Sequence, residues 1–104
     1  MDEYSVLVSE FAECVAAQSK AVLLGNAEGG NSYARRYIEA FRTLRSMGNG
    51  GRDALATLLS DGRADVRVMA ASFLLRHSGE KARRILEAEA KGRGLTAVSA
   101  AQAL

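Results

Sequence analysis

The sequence predicts an all-α fold of about six helices, forming a single domain over residues 1–104. Three observations carry this. Apolar residues recur at three- and four-residue steps in every segment, and no run alternates as a half-buried strand would. The 104 residues include no proline and are rich in alanine, the strongest helix former. Glycines, ten in all, cut the chain into segments of helical length. A content of 48% apolar and 25% charged residues is that of a globular domain, not a disordered chain.

The first helix is expected from about Tyr4 to Leu24. Leu7, Phe11, Cys14, Val15 and Val22 form one stripe, with Glu10, Glu13 and Lys20 off it. Asp2 and Glu3 suit the positive end of that helix and Gly25 its stop. The second is expected from about Ser32 to Met47, capped by Asn31 or Ser32. Tyr33, Tyr37, Phe41, Leu44 and Met47 make its buried face, and Arg35 can pair with Glu39 four residues on. Four shorter segments follow. Arg52–Ser60 carries Leu55, Leu58 and Leu59, and Asp65–His77 carries Val66, Met69, Ala70, Phe73 and Leu74. Gly79–Lys91 carries Ala82, Ile85, Leu86 and Ala90. In Leu95–Leu104, Val98, Ala101 and Leu104 are expected to pack inward, leaving Ala97, Ala100 and Ala103 on another face. Short links between such segments imply helical hairpins.

Charge is unevenly spread around a net +2. Residues 1–30 hold five acids against Lys20, and residues 31–52 hold five arginines against Glu39. The direct reading is attraction between the first two helices. A total of +2 is low for a protein recruited to nucleic acid, so nucleic acid is not the expected partner. Cys14 is the single cysteine, which leaves no internal disulfide and no cysteine-based metal site. No apolar run approaches the ~20 residues of a membrane span. The start, Met1-Asp2-Glu3, lacks the basic opening of a signal peptide. The expected location is therefore the cytoplasm, with no membrane partner.

A shift of 29 residues lays Val66, Met69, Ala71 and Leu75 on Leu95, Val98, Ala100 and Leu104. The match fails one helix earlier unless two further residues are slipped. The spacing suits a helix-turn-helix repeat. Within it, Asp61-Gly62-Arg63-Ala64-Asp65-Val66-Arg67-Val68-Met69-Ala70-Ala71-Ser72-Phe73-Leu74 is similar to the centre of a HEAT-type repeat. An acid closes the first helix region, a Val-Arg pair opens the second, and small residues precede a leucine. The resemblance is clear over residues 52–77; residues 80–104 look like a weaker second unit, with Leu95-Thr96 in place of the Val-Arg pair. It implies a HEAT/armadillo-like α-α superhelix, with an N-terminal helical hairpin over residues 1–50 and two HEAT-like hairpins over 51–104. In HEAT repeats the acid and the arginine bond between neighbouring units, which makes Asp61 or Asp65 with Arg67 the candidate inter-repeat pair. Asp65 can also cap its helix. The whole chain resembles a family of small bacterial proteins of unknown function that join a helical hairpin to a HEAT-like half. Some small HEAT-like bacterial proteins act as immunity proteins or regulators of a partner.

No residue set composes a catalytic centre. His77 stands alone near a helix end, where a cationic imidazole meets the helix dipole favourably. Cys14 lies on an apolar stripe and reads as an inert core thiol. Gly48-Asn49-Gly50-Gly51-Arg52 could cradle a phosphate at a helix start, yet it lacks the Gly-Lys-Ser/Thr of a P-loop and no strand precedes it. A flexible turn is the expectation there. Glu80, Glu87 and Glu89 read as a solvated face of exchangeable ion pairs. Tyr33 and Tyr37 beside Arg36 could stack on a base, but tyrosines four apart on an apolar stripe read as core. The expected function is that of a small, non-enzymatic protein-binding module without a cofactor or metal. It would be immunity- or antitoxin-like, or regulatory, with Arg35, Arg36, Arg42 and Arg45 as candidate contact residues. The alternative is a basic nucleic-acid-binding adaptor using the same arginines. The uncharged final segment, with Leu104 at an apolar position, also suggests pairing with a second copy.

Overall fold

The computed structural model describes residues 2–104. Six α-helices and one short 3₁₀ segment make up the regular structure, with no strand among the described residues. The all-α expectation therefore holds. The chain divides between Leu55 and Ala56 into two compact units.

In the first unit, α1 spans Glu3–Leu23 and α2 spans Ala27–Ser46. Asp2 caps α1 by accepting the Ser5 N–H at 2.7 Å, and that bond lowers the pKa of its carboxyl. The helix ends in a Schellman turn. The Asn26 N–H donates to the Ala21 carbonyl at 2.8 Å, the Gly25 N–H donates to Val22 at 3.1 Å, and Gly25 takes φ +72°. Asn26 then caps α2 directly, its side chain accepting the Gly29 N–H at 2.9 Å. The second helix thus starts about five residues earlier than its sequence suggests and runs through Gly29 and Gly30. Each glycine costs a helix interior about 1 kcal/mol. The cap and the packing offset this: Gly30 is buried against Gln18, Ala21 and Val22 of α1. Gly30, near the start of α2, lies against Gln18, Ala21 and Val22 towards the end of α1, while Arg36 and Tyr37 further along α2 meet Glu10 and Phe11 further back on α1, so the pair is antiparallel. Phe11, Ala12, Cys14 and Val15 of α1 and Tyr37, Ala40 and Leu44 of α2 are buried. Val22, read as part of the stripe, is instead half exposed at the end of the helix, beside Leu23 at 77% and Leu24 at 74%.

The glycine-rich stretch after α2 is not a flexible turn. Gly48, at φ +80°, stops α2. Helix α3 begins at once and spans Asn49–Ala56. Gly51 is buried where α3 meets the end of α2: a Cβ there would lie 1.9 Å from the Leu44 carbonyl oxygen. Gly50 sits under Tyr4. Close backbone approach, not mobility, accounts for this pair.

In the second unit, the 3₁₀ segment Thr57–Ser60 packs on α4, Ala64–Leu74. Helices α5, Gly79–Ala90, and α6, Leu95–Ala103, pack on each other and on α4. Leu58, Leu59, Val66, Val68, Ala70, Ala71, Leu74, Ala82 and Leu86 form the core. Asp65 is not the cap of α4; it lies in the first turn, where its carboxylate suits the helix dipole and accepts the Val66 N–H at 2.9 Å. Ala71 is fully buried and Ser72 only half-buried, with its hydroxyl donating to the Val68 carbonyl at 2.8 Å. Ala71→Leu is expected to destabilise by about 1–3 kcal/mol through overpacking, and Ser72→Leu by clearly less. Urea unfolding of both variants against the parent checks this; equal midpoints would contradict the packing.

Helix α6 reverses its expected orientation. Ala97 and Ala100 face inward and are buried, while Leu95 is 61% exposed and Val98 51%. Ala101 is exposed as well. Small residues let α6 approach α5 and α4 closely, and the larger aliphatic side chains stay outside. Of the residues matched by the 29-residue shift, Ala71 and Ala100 are both fully buried, but Val66 is buried where Leu95 is exposed.

Candidate partner-binding surface

Helix α2 is amphipathic in a way that sorts its charges. Its inward side holds Tyr37, Ala40 and Leu44, and Arg35, Arg36, Arg42 and Arg45 are all exposed. The four arginines are not equivalent. Arg36 reaches back to α1, its Nη2 3.2 Å from Glu10 Oε1 and its Nε 3.4 Å from the same oxygen. This pair realises the attraction between acidic α1 and basic α2 and joins the two helices. Arg42 Nη1 lies 3.5 Å from Glu39 Oε2, with both side chains 70% exposed. Glu39 is therefore paired with Arg42, three residues on, and not with Arg35. Among the described residues, Arg35 and Arg45 enter no ion pair. Exposed pairs of this kind contribute only about 0–1 kcal/mol, so the outward arginines are held weakly by their own chain.

The tyrosines of α2 belong mainly to the core. The Tyr37 ring meets Phe11 edge-on, with centroids 5.6 Å apart and planes at 63°. Its hydroxyl donates to Gln18 Oε1 at 3.0 Å, and burial pushes its pKa up. A side chain so placed is not available to stack on a base. Tyr33 is half-buried. Burial likewise pushes up the Cys14 thiol, which keeps it protonated and poorly nucleophilic. The Arg52 guanidinium turns back to Asn49 Oδ1 at 2.7 Å, beside the packed glycines.

In the second unit Arg67 is a half-buried junction. Its Nη1 donates to the main-chain carbonyl of Asp61 at 2.8 Å, and its Nη2 to Glu89 Oε1 of α5 at 2.6 Å. The resemblance singled out Asp61, Asp65 and Arg67. The structure joins Arg67 to the backbone of Asp61 and adds Glu89. The Asp61 carboxylate turns instead to Arg63, accepting from its Nε at 3.0 Å and from its backbone N–H at 2.9 Å, which holds the Asp61 pKa low. Glu89 differs from its neighbours on α5. Glu80 makes an exposed pair with Arg84, as a solvated face should, but Glu89 is partly buried against Arg67. The signal available in the sequence was its spacing: Glu89 follows Ile85 by four and Leu86 by three, on the inner side of α5. His77 lies in the turn after α4, its main-chain N–H donating to the Leu74 carbonyl at 3.0 Å. Among the described residues no group of three His, Cys, Asp or Glu is placed to hold a metal ion. Among the described residues no helix is long and apolar enough to cross a membrane.

These features define an all-α protein with a charged helix face. No protein-family model matches the sequence, and no curated protein matches it. Among solved structures, the chain is similar to the crystal structure of the protein RPA1889 from Rhodopseudomonas palustris CGA009. The two share 26% sequence identity and superpose with a TM-score of 0.91, over 98% of this chain and 85% of the other. That neighbour is bacterial, and its name states no activity.

Proposed function

We propose that the chain is a small, non-enzymatic protein-binding module of a bacterial cytoplasm, immunity-like or regulatory, with a HEAT-like second unit. The observation that carries this reading is the outward face of α2, where Arg35, Arg42 and Arg45 stand exposed and, among the described residues, only Arg42 enters an ion pair, with an exposed neighbour. Arginine is enriched at protein interfaces because its planar fork matches carboxylates in two bonds. The HEAT-like reading of the second unit is supported by the alanine-lined contact of α4 and by Arg67, which bonds between neighbouring elements. The exposed Leu95 and Val98 of α6 are consistent with contact to a further helix, a second copy included. In a second reading the arginines contact nucleic acid as an adaptor would; the same exposed side chains favour it.

Affinity capture from a bacterial lysate tests the proposal. The bait is the full chain, beside an Arg35→Glu/Arg45→Glu variant shown by circular dichroism to keep its helix content. Proteins held by the parent at near-physiological salt and released by the double reversal are the expected result. Nuclease-sensitive retention of nucleic acid with steep salt dependence would favour the adaptor. Identical retention by both baits would remove the proposal.

A further inference from the structure

The outward face of α2 also constrains the chemistry of what it meets. We infer that it receives a protein surface bearing a row of carboxylates about 15 Å long, broken by one cation, and not a nucleic acid. The inference rests on the protein-binding reading above. At a rise of about 1.5 Å per residue, Arg42 stands about 10 Å beyond Arg35, and Arg45 about 15 Å beyond it. Glu39 interrupts the row between Arg35 and Arg42 and is itself 70% exposed. Read along the helix, the charges run positive, negative, positive, positive. A nucleic acid presents closely spaced charges of one sign, and Glu39 repels any phosphate laid along these arginines. The surrounding unit gives a polyanion no help, because residues 2–55 hold seven carboxylates against six cations. That unit by itself carries no net positive charge with which to gather a phosphate backbone from solution.

A protein surface can match the mixed pattern, with carboxylates opposite the arginines and a lysine or arginine opposite Glu39. Such complementarity fixes register and suppresses wrong partners. Arg35 and Arg45 are ready to accept these contacts, being outside any ion pair among the described residues. Arg42 is ready as well, since its 3.5 Å bond to Glu39 is exposed on both sides and is easily exchanged for a partner's carboxylate. Arg36 takes no part, because it is directed at Glu10 and joins α2 to α1.

A synthetic helical peptide is the probe. Designed to dock antiparallel, it carries Glu, Glu, Lys and Glu at the spacings of Arg45, Arg42, Glu39 and Arg35. A control peptide has the same composition with the lysine moved to the end of the row. Backbone amide shifts of the full chain are followed by NMR at low salt, where exposed charges are least screened. Shifts centred on α2, with the matched peptide bound about tenfold more tightly than the control, are the expected result. Arg35→Glu/Arg45→Glu is expected to lose about tenfold or more for the matched peptide. Glu39→Arg is expected to invert the preference, weakening the matched peptide and strengthening a duplex oligonucleotide. The inference is overturned if the parent binds the duplex more tightly than the matched peptide, if the control binds equally well, or if neither peptide shifts α2. Its failure is separable from that of the broader reading: a lysate protein that the double reversal releases, beside a matched peptide that never binds, would sink the carboxylate row alone.

Discussion

Gly51→Ala is expected to be among the most damaging single-methyl additions in the chain. The added Cβ would lie 1.9 Å from the main-chain oxygen of Leu44. Backbone cannot rotate out of the way as a side chain can, so α3 must withdraw from the end of α2. The expected loss is at the upper end of the ~1–3 kcal/mol typical of overpacking, despite alanine's better helix propensity. Gly50→Ala is the matched control. Its Cβ would approach the Tyr4 hydroxyl at 2.7 Å, but that is the far end of a side chain able to swing aside. Thermal and urea unfolding of the two variants should separate them clearly. A Gly51→Ala protein as stable as the parent would mean that α3 does not sit against the Leu44 carbonyl.

Phe11→Ala should cost about 3–5 kcal/mol, the range found when a buried aromatic side chain is truncated to alanine. Phe11 has no exposed surface and supplies one half of the edge-on ring contact with Tyr37. Its removal opens a cavity between α1 and α2 and strips one side of the Tyr37 ring, whose hydroxyl is already committed to Gln18. Leu23→Ala, on the same helix but 77% exposed, should stay within about 0.5 kcal/mol of the parent. Denaturant midpoints report the contrast. Near-equal values would show that the α1–α2 core is not organised around this ring.

Much of the first hairpin is legible in the amino-acid order because its signals agree. Asp2 at one end, Gly25 at the other, and Phe11, Cys14 and Val15 between them all say helix, and α1 follows. Helix α2 is less legible at its start. Gly29 and Gly30 argue locally for a break, and only the tertiary use of Gly30, under α1, shows why the helix tolerates them. The Gly48–Gly51 run misleads in the same way, since glycine marks both chain reversal and close approach. Helix α6 carries too little contrast to reveal its inward face. Alanines at 97, 100, 101 and 103 permit several faces, and volume, not hydrophobicity, decides among them. The arginines of α2 were legible as an outward set, because each lies off the Tyr37–Leu44 stripe. Their division of labour was not, because the Glu10–Arg36 bond joins residues 26 apart in sequence. Glu89, as partner of Arg67, was hidden for a similar reason: 22 residues separate them.

The Schellman turn at Gly25, which leads straight into the Asn26 cap, also has a consequence in time. Only Leu24, Gly25 and Asn26 separate the two longest helices, so the search that brings α1 and α2 together is short. Loop-closure entropy is small for such a link, and local contacts of this kind form fast. The stop signal of one helix and the start signal of the next are written in adjacent residues, so both helices can be aligned before most of their core contacts exist. The hairpin is therefore a natural early folding nucleus, able to assemble while the rest of the chain is still searching.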